Sequence, residues 1–155
     1  MKFKIARSIL FKTLSHLQGI VDKKNVLPIL SNILIEAKDS QLTLSSTDMD
    51  ISIIEKIDCK VSEDGATTIN SQILYDIVRK IDENSEIEII SNDGKLLTLR
   101  SDGSRFSLAC LPKEDFPIID QKNSGISIKI KSKTFFKLID KTKFAISNEE
   151  TRYFL

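Results

Sequence analysis

The sequence predicts an α+β fold: two helix-plus-antiparallel-sheet units with their helices on one face. Three observations point to it. A strand-then-helix pattern occurs early and returns. A hairpin pattern follows each helix. The helical segments collect lysine and arginine, while the strands and loops around them are acidic. At 155 residues, 41% hydrophobic and 29% charged, the chain fits one soluble globular domain with a short extension, and its net charge of +1 names no partner.

Residues 3–17, FKIARSILFKTLSHL, begin with strand-like alternation. They continue with Ile9, Leu10, Leu14 and Leu17, one apolar stripe at helical period. Ser8 stands where an N-cap acceptor is expected. After the insertion VDKKNVLPILSN, residues 42–53, LTLSSTDMDISI, read as a hairpin with its polar turn at Ser46–Asp50. Residues 68–81, TINSQILYDIVRKI, repeat the strand and helix. A shift of 64 puts Ile5 on Ile69, Ile9 on Ile73, Leu10 on Leu74, Leu14 on Val78 and Leu17 on Ile81. Asn70 and Ser71 are the cap candidates there. Residues 97–108, LTLRSDGSRFSL, repeat the hairpin at an offset of 55, which sets Ile51 and Ile53 on Phe106 and Leu108, around a turn at Ser101–Ser104. The strand Arg105–Leu111 carries Phe106, Leu108 and Cys110 on one side, and Arg105, Ser107 and Ala109 on the other. Pro112 stops it, because proline has no amide for the ladder.

Residues 128–139, IKIKSKTFFKLI, give the opening a third time. At an offset of 125, Lys4, Ile5, Phe11 and Lys12 are identical to Lys129, Ile130, Phe136 and Lys137. That offset is close to twice 64, so the larger period is a two-unit domain. The expected organisation is a domain over 1–120, in units of about 1–60 and 61–120, then a linker and the truncated opening of a second domain over 121–155. The strand-like ending TRYFL makes truncation of a longer repeat protein the expectation.

The charge separates along the same lines. Residues 1–24, 71–81 and 129–143 hold 14 basic and 3 acidic residues, against 9 basic and 19 acidic elsewhere. Basic residues spread over several helices suit an extended polyanion, such as a duplex backbone bound without sequence readout. A solvated lysine-rich face is the bland alternative. His16 lies on the polar side of the first helix and reads as a surface residue. Asp48 and Asp50 read as turn residues and not as metal ligands. Cys59 and Cys110 lack metal spacing and sit in strand-like runs, so they read as buried free thiols of a reducing compartment. No phosphate loop, dinucleotide fingerprint or catalytic constellation occurs, so no catalytic site and no cofactor are expected. No apolar run approaches a membrane span. The basic start lacks a signal peptide's apolar core and cleavage site, so the reading is cytoplasmic.

The stretches MKF, LPILSNILIEA, LTLSSTDMDISI, GATTI, SRFSLACLPKEDFP and TRYFL, in this order along the whole chain, resemble the bacterial sliding-clamp family, the DNA polymerase III beta subunits. The resemblance implies the DNA-clamp (processivity) fold: three such domains per chain, two chains joined head to tail around duplex DNA, and no catalytic step. It implies a homodimer edge at Arg100, Arg105, Phe106, Ser107 and Leu108, where the family often has a further basic residue at the position of Gly103. For DNA it implies Lys24 and Arg79 at basic positions, with Gln72 and Glu149 where relatives have a basic and a neutral polar contact. Tyr153 and Phe154 match an aromatic pair that touches DNA, and Lys12, Lys137 and Lys141 belong to the lysine-studded helices. Arg152 and Leu155 match the wall of a cleft that takes peptides from the polymerase, the clamp loader and repair proteins. The rivals are a stand-alone module that binds the outside of a duplex and a plain interaction domain.

Overall fold

The computed structural model describes residues 1–20, 27–117 and 128–147. The chain divides into two compact units, Met1–Asp120 and Gln121–Leu155. Among the described residues, the first unit carries nine strands and two α-helices: β1 (Lys2–Ala6), α1 (Arg7–Leu17), β2 (Asn32–Lys38), β3 (Gln41–Thr47), β4 (Ser52–Asp58), β5 (Lys60–Glu63), β6 (Gly65–Asn70), α2 (Ser71–Lys80), β7 (Glu86–Ile90), β8 (Leu96–Ser101) and β9 (Ser104–Leu111). The second unit contributes α3 (Ser132–Thr142).

All described strand pairs are antiparallel, in the order β4-β3-β2-β6-β9-β8-β7-β1-β5. The internal repeat takes an interlocked form. Each repeat's leading strand sits in the other repeat's sheet: β1 pairs with β7 (Ile5 opposite Ile87), and β6 pairs with β2 (Ile69 opposite Ile33). Neither repeat can therefore complete its sheet alone.

The core is the apolar face of these sheets closed by the two helices. Phe3, Ile33, Ile35, Leu42, Leu44, Ile87, Ile89, Leu97 and Leu99 are fully buried from the strands. The helices add Leu10, Leu14, Leu17, Leu74 and Val78, the predicted stripe. Ile9 and Ile73 leave that stripe. They are 45% and 51% exposed, because each is one residue, about 100° of helical turn, away from the buried line.

The two helix starts differ. Asn70 caps α2: its Oδ1 accepts from the Ile73 amide at 3.0 Å. Ser8 caps nothing, since α1 begins at Arg7 after Ala6. The first amide of α1 donates to the Ser85 carbonyl at 2.9 Å, so the other repeat satisfies that end.

The hairpin repeat also shifts. The first turn is the four-residue segment Asp48–Ile51, with Thr47 opposite Ser52. The second is the two-residue turn Asp102–Gly103, both at positive φ, with Ser101 opposite Ser104. Leu44 faces Glu55 while its repeat partner Leu99 faces Phe106, so the second strands match at an offset of 51, not 55. On that register Glu55 corresponds to Phe106, Ile57 to Leu108 and Cys59 to Cys110. Ile51, first set on Phe106, is instead 58% exposed in the turn.

Candidate nucleic-acid face and open strand edge

α1 and α2 lie side by side and antiparallel. Gln18, just past the end of α1, donates to the Ser71 hydroxyl at the start of α2 at 2.9 Å. At the other end, the Arg7 guanidinium donates from Nε to the Val78 carbonyl at 2.9 Å and from Nη2 to the Arg79 carbonyl at 2.8 Å. That places a cation on the negative C-terminal end of α2. The same guanidinium stacks 4.3 Å over the Phe11 ring, Phe11 stacks on Tyr75 at 5.3 Å, and Arg79 lies 5.8 Å over Tyr75. Arg7, Phe11, Tyr75 and Arg79 thus form a closed set of contacts across the helix pair. Phe11 and Tyr75 are the same repeat position, 64 apart, so the local two-fold runs between the rings. That offset was the available signal for a contact the motif reading passed over.

The solvent face of this pair is less basic than the segment counts imply. Lys2 and Lys4 sit on β1 and pair with Glu88 and Glu86 at 3.6 and 3.4 Å, on the sheet. Arg7 is occupied by carbonyls. Lys12 is exposed with no ion-pair partner among the described residues. Arg79 pairs with Asp76 at 3.1 Å, and Gln72 donates to the same carboxylate at 2.9 Å. His16 is not a bare surface residue, because its Nδ1 lies 2.6 Å from Glu55 Oε1 on β4. Lys137 and Lys141 lie exposed on α3, and Lys143, just past its end, pairs with Asp140 at 2.7 Å. Lys24, Glu149, Arg152, Tyr153, Phe154 and Leu155 lie outside the described residues.

β9 presents the second feature. β8 covers one side of Ser104–Ala109. On the other side only Cys110 and Leu111 pair, with Ile69 and Thr68 of β6. The edge from Ser104 to Ala109 has no neighbouring strand among the described residues. Phe106 and Leu108 are half-buried against the core, and Arg105 and Ser107 point outward. Arg100 and Arg105 face each other across the ladder, a like-charge pair. Arg100 turns to Glu88 at 3.8 Å and leaves Arg105 without an ion-pair partner among the described residues. Beside this edge is a cleft of about 460 Å³ lined by Ile73, Ile77, Ile81, Phe106, Asp82 and Asp102. The Asp102 carboxylate also accepts from the Ser85 hydroxyl. Ile77, Ile81 and Asp102 were missed from sequence, because they become neighbours of Phe106 only through the fold.

Asp48 is a turn residue: its Oδ1 accepts from the Asp50 and Ile51 amides at 3.0 and 2.7 Å. Among the described residues, no group of three or more His, Cys, Asp or Glu is placed to hold a metal ion, and no helix is long and apolar enough to cross a membrane. Burial pushes both thiols up from their ordinary pKa, assisted at Cys59 by the Asp58 charge.

A helix pair backed by interlocked antiparallel sheets, with an open edge on β9, defines a clamp-type domain. Residues 1–120 match the family described as DNA polymerase III beta subunit, N-terminal domain, and the chain belongs to that family. It is 40% identical to the beta sliding clamp of Caulobacter vibrioides strain NA1000 over 156 aligned residues, which is 100% of this chain and 42% of that protein. It is 34% identical to the beta sliding clamp of Escherichia coli K12, with the same coverage. The fold superposes with a TM-score of 0.93 on a DnaN sliding clamp from Bartonella birtlesii bound to griselimycin, at 37% identity over 99% of this chain and 41% of that one. On Caulobacter crescentus pol III beta the TM-score is 0.90 at 40% identity, over 100% and 42%. The chain spans about two fifths of these relatives.

Proposed function

We propose that this chain forms the N-terminal domain, and the opening of the central domain, of a ring-shaped processivity clamp for a replicative DNA polymerase. Two complete chains close head to tail around duplex DNA. The ring holds the polymerase by topology and has no catalytic step. The observation that carries this reading is the edge of β9 from Ser104 to Ala109, which among the described residues has no neighbouring strand and where Arg105, without an ion-pair partner among them, flanks a half-buried Phe106 beside an apolar cleft. Such an edge takes a strand from another domain, with main-chain hydrogen bonds for affinity and side-chain pockets for register. Arg105 and Phe106 serve as the charged and apolar anchors, and Ser107 and Leu108 follow them along the strand. Arg100 contributes through Glu88.

The α1–α2 face turns to the duplex through Lys12, Gln72 and Arg79; Lys24, Tyr153 and Phe154 take the same sequence-independent role, while Glu149 holds a family contact position at which its carboxylate repels phosphate. Lys137 and Lys141 of the second unit take the same role on α3. Weak, diffuse phosphate contacts allow sliding. Arg152 and Leu155 belong to a cleft for peptides of the polymerase, the clamp loader and repair proteins. The setting is the cytoplasm, and no cofactor takes part.

The test is retention on DNA. The product of the native locus is loaded with its clamp loader on nicked circular duplex, which is then linearised. Release on linearisation is expected, and Arg105→Glu or Phe106→Ala abolishes retention on the circle. Equal binding to circle and line would instead identify a module that binds the outside of a duplex. Absence of binding would leave a plain interaction domain.

A further inference from the structure

The two helices present equivalent stripes with different electrostatics. On α1 the stripe is Ser8, Lys12 and Ser15. The repeat offset of 64 maps it onto Gln72, Asp76 and Arg79 of α2. Lys12 is exposed and free of ion pairs among the described residues. Its counterpart is a carboxylate that holds both neighbours: Oδ2 accepts from Gln72 Nε2 at 2.9 Å, and Oδ1 pairs with Arg79 Nη2 at 3.1 Å. Tyr75 adds a second restraint, lying beneath the Arg79 guanidinium. The two α2 side chains assigned to the duplex are therefore both tied to one acid. For Arg79 to meet a phosphate, it must leave Asp76 or bring the carboxylate's charge with it. Either way part of the phosphate attraction is cancelled.

We propose that Asp76 is an attenuating residue of the DNA face, a positioning residue that holds Arg79 and Gln72 and keeps their contact with phosphate weak. The proposal rests on the clamp reading of that face. Its physical rationale is that a sliding surface needs a contact strong enough to centre the duplex and weak enough to release it at each base-pair step. An acid paired with an arginine supplies that adjustment without removing the arginine. The Asp76 side chain is 42% exposed, so the effect is that of a solvent-screened pair, not of a buried one.

The experiment compares Asp76→Asn, Arg79→Gln and the double variant in the chain as it stands. Binding to a random-sequence duplex is measured across a salt series. Asp76→Asn is expected to bind about three- to fivefold tighter at low salt, the scale of one exposed ion pair. It also steepens the slope of log K against log salt by about 0.9, one further phosphate contact. Both changes vanish in the Arg79→Gln background. A gain of the same size without Arg79 would mean that only net charge had changed, and the proposal falls. Unchanged affinity and slope in Asp76→Asn also overturn it. In parallel, the Arg79 Nε–H resonance is followed as inorganic phosphate is added. A larger response in Asp76→Asn than in the parent supports the attenuation, and equal responses refute it. If Arg79 is released toward phosphate while neither protein binds duplex, the attenuation stands and the clamp reading of this face is what fails.

Discussion

Replacing Arg7 tests how the two repeats are held together. The side chain makes two charged hydrogen bonds to the last-turn carbonyls of α2, at 2.9 Å in a partly buried setting and 2.8 Å in an exposed one. The partly buried bond is worth about 1.5–3 kcal/mol, since its donor is charged. The exposed one contributes about 0.5 kcal/mol. Contact with the C-terminal dipole of α2 and stacking over Phe11 at 4.3 Å add roughly 0.5–1 kcal/mol each. These terms overlap, so Arg7→Met is expected to cost about 3 kcal/mol. With a urea m-value of about 2 kcal/mol/M, the unfolding midpoint drops by about 1.5 M. Arg7→Lys keeps the charge but not the planar fork, and should recover less than half of the loss. The assay is urea denaturation followed by circular dichroism, with the m-value fitted for each variant. A loss under about 1 kcal/mol for Arg7→Met, or full rescue by lysine, would refute the two-carbonyl clasp as the link between helices.

Other outcomes follow from equally local features. A Cβ on Gly65 would stand 2.8 Å from the Met1 Cβ, while the Met1 amine is anchored on the Ser91 carbonyl at 2.8 Å. Gly65→Ala should therefore cost about 1–3 kcal/mol by overpacking, read as a lowered melting temperature. Asn70→Ala should cost about 1 kcal/mol through its lost cap, while Ser8→Ala stays within about 0.5 kcal/mol; equal costs in chemical denaturation would contradict the capping difference. The amides of Lys95 and Leu96 hold the Asp93 carboxyl below its usual range. Its folded pKa is depressed, so its contribution is present above the ordinary aspartate pKa of about 3.9 and is lost as pH falls through the lower folded value; Asp93→Asn should flatten stability in that acid window. Cys59 and Cys110, whose pKa values are raised by burial, should alkylate more slowly at neutral pH than the unfolded chain, measured by mass spectrometry.

The helices and hairpins were legible because their signals are local. The stripe Leu10, Leu14 and Leu17 is set by helical period, and the alternation in β9 by strand period. The offset of 64 between the helices was equally plain. What failed was anything set by a turn. The four-residue loop Asp48–Ile51 and the two-residue loop Asp102–Gly103 shift the register of the following strands, and a gap-free comparison of apolar positions cannot see a change in loop length. The exchange of β1 and β6 between sheets is a tertiary choice with no local mark. For the candidate site, Arg105, Phe106 and Leu108 came from the strand pattern and its family motif. The commitments of Arg100 to Glu88 and of Lys2 and Lys4 to the sheet needed the fold, because side-chain pairing across strands depends on register; the Asp76–Arg79 pair is instead an i, i+3 neighbour on α2, a spacing already present in the sequence.

The register shift has a consequence for sidedness. The outer edge of β4 and the open edge of β9 occupy equivalent places in the two repeats, but β4 carries Glu55, held to His16, where β9 carries Phe106. Joining two β9 edges would set Arg105 near its own copy, and joining two β4 edges would gather Glu55 carboxylates. Unlike edges meet with less conflict, and a chain of domains joined that way has a direction. When such a chain closes into a ring, every domain points the same way around it, so the front and back of the ring are different surfaces. On the clamp reading proposed above, a protein docked on one of them would be oriented along the DNA axis.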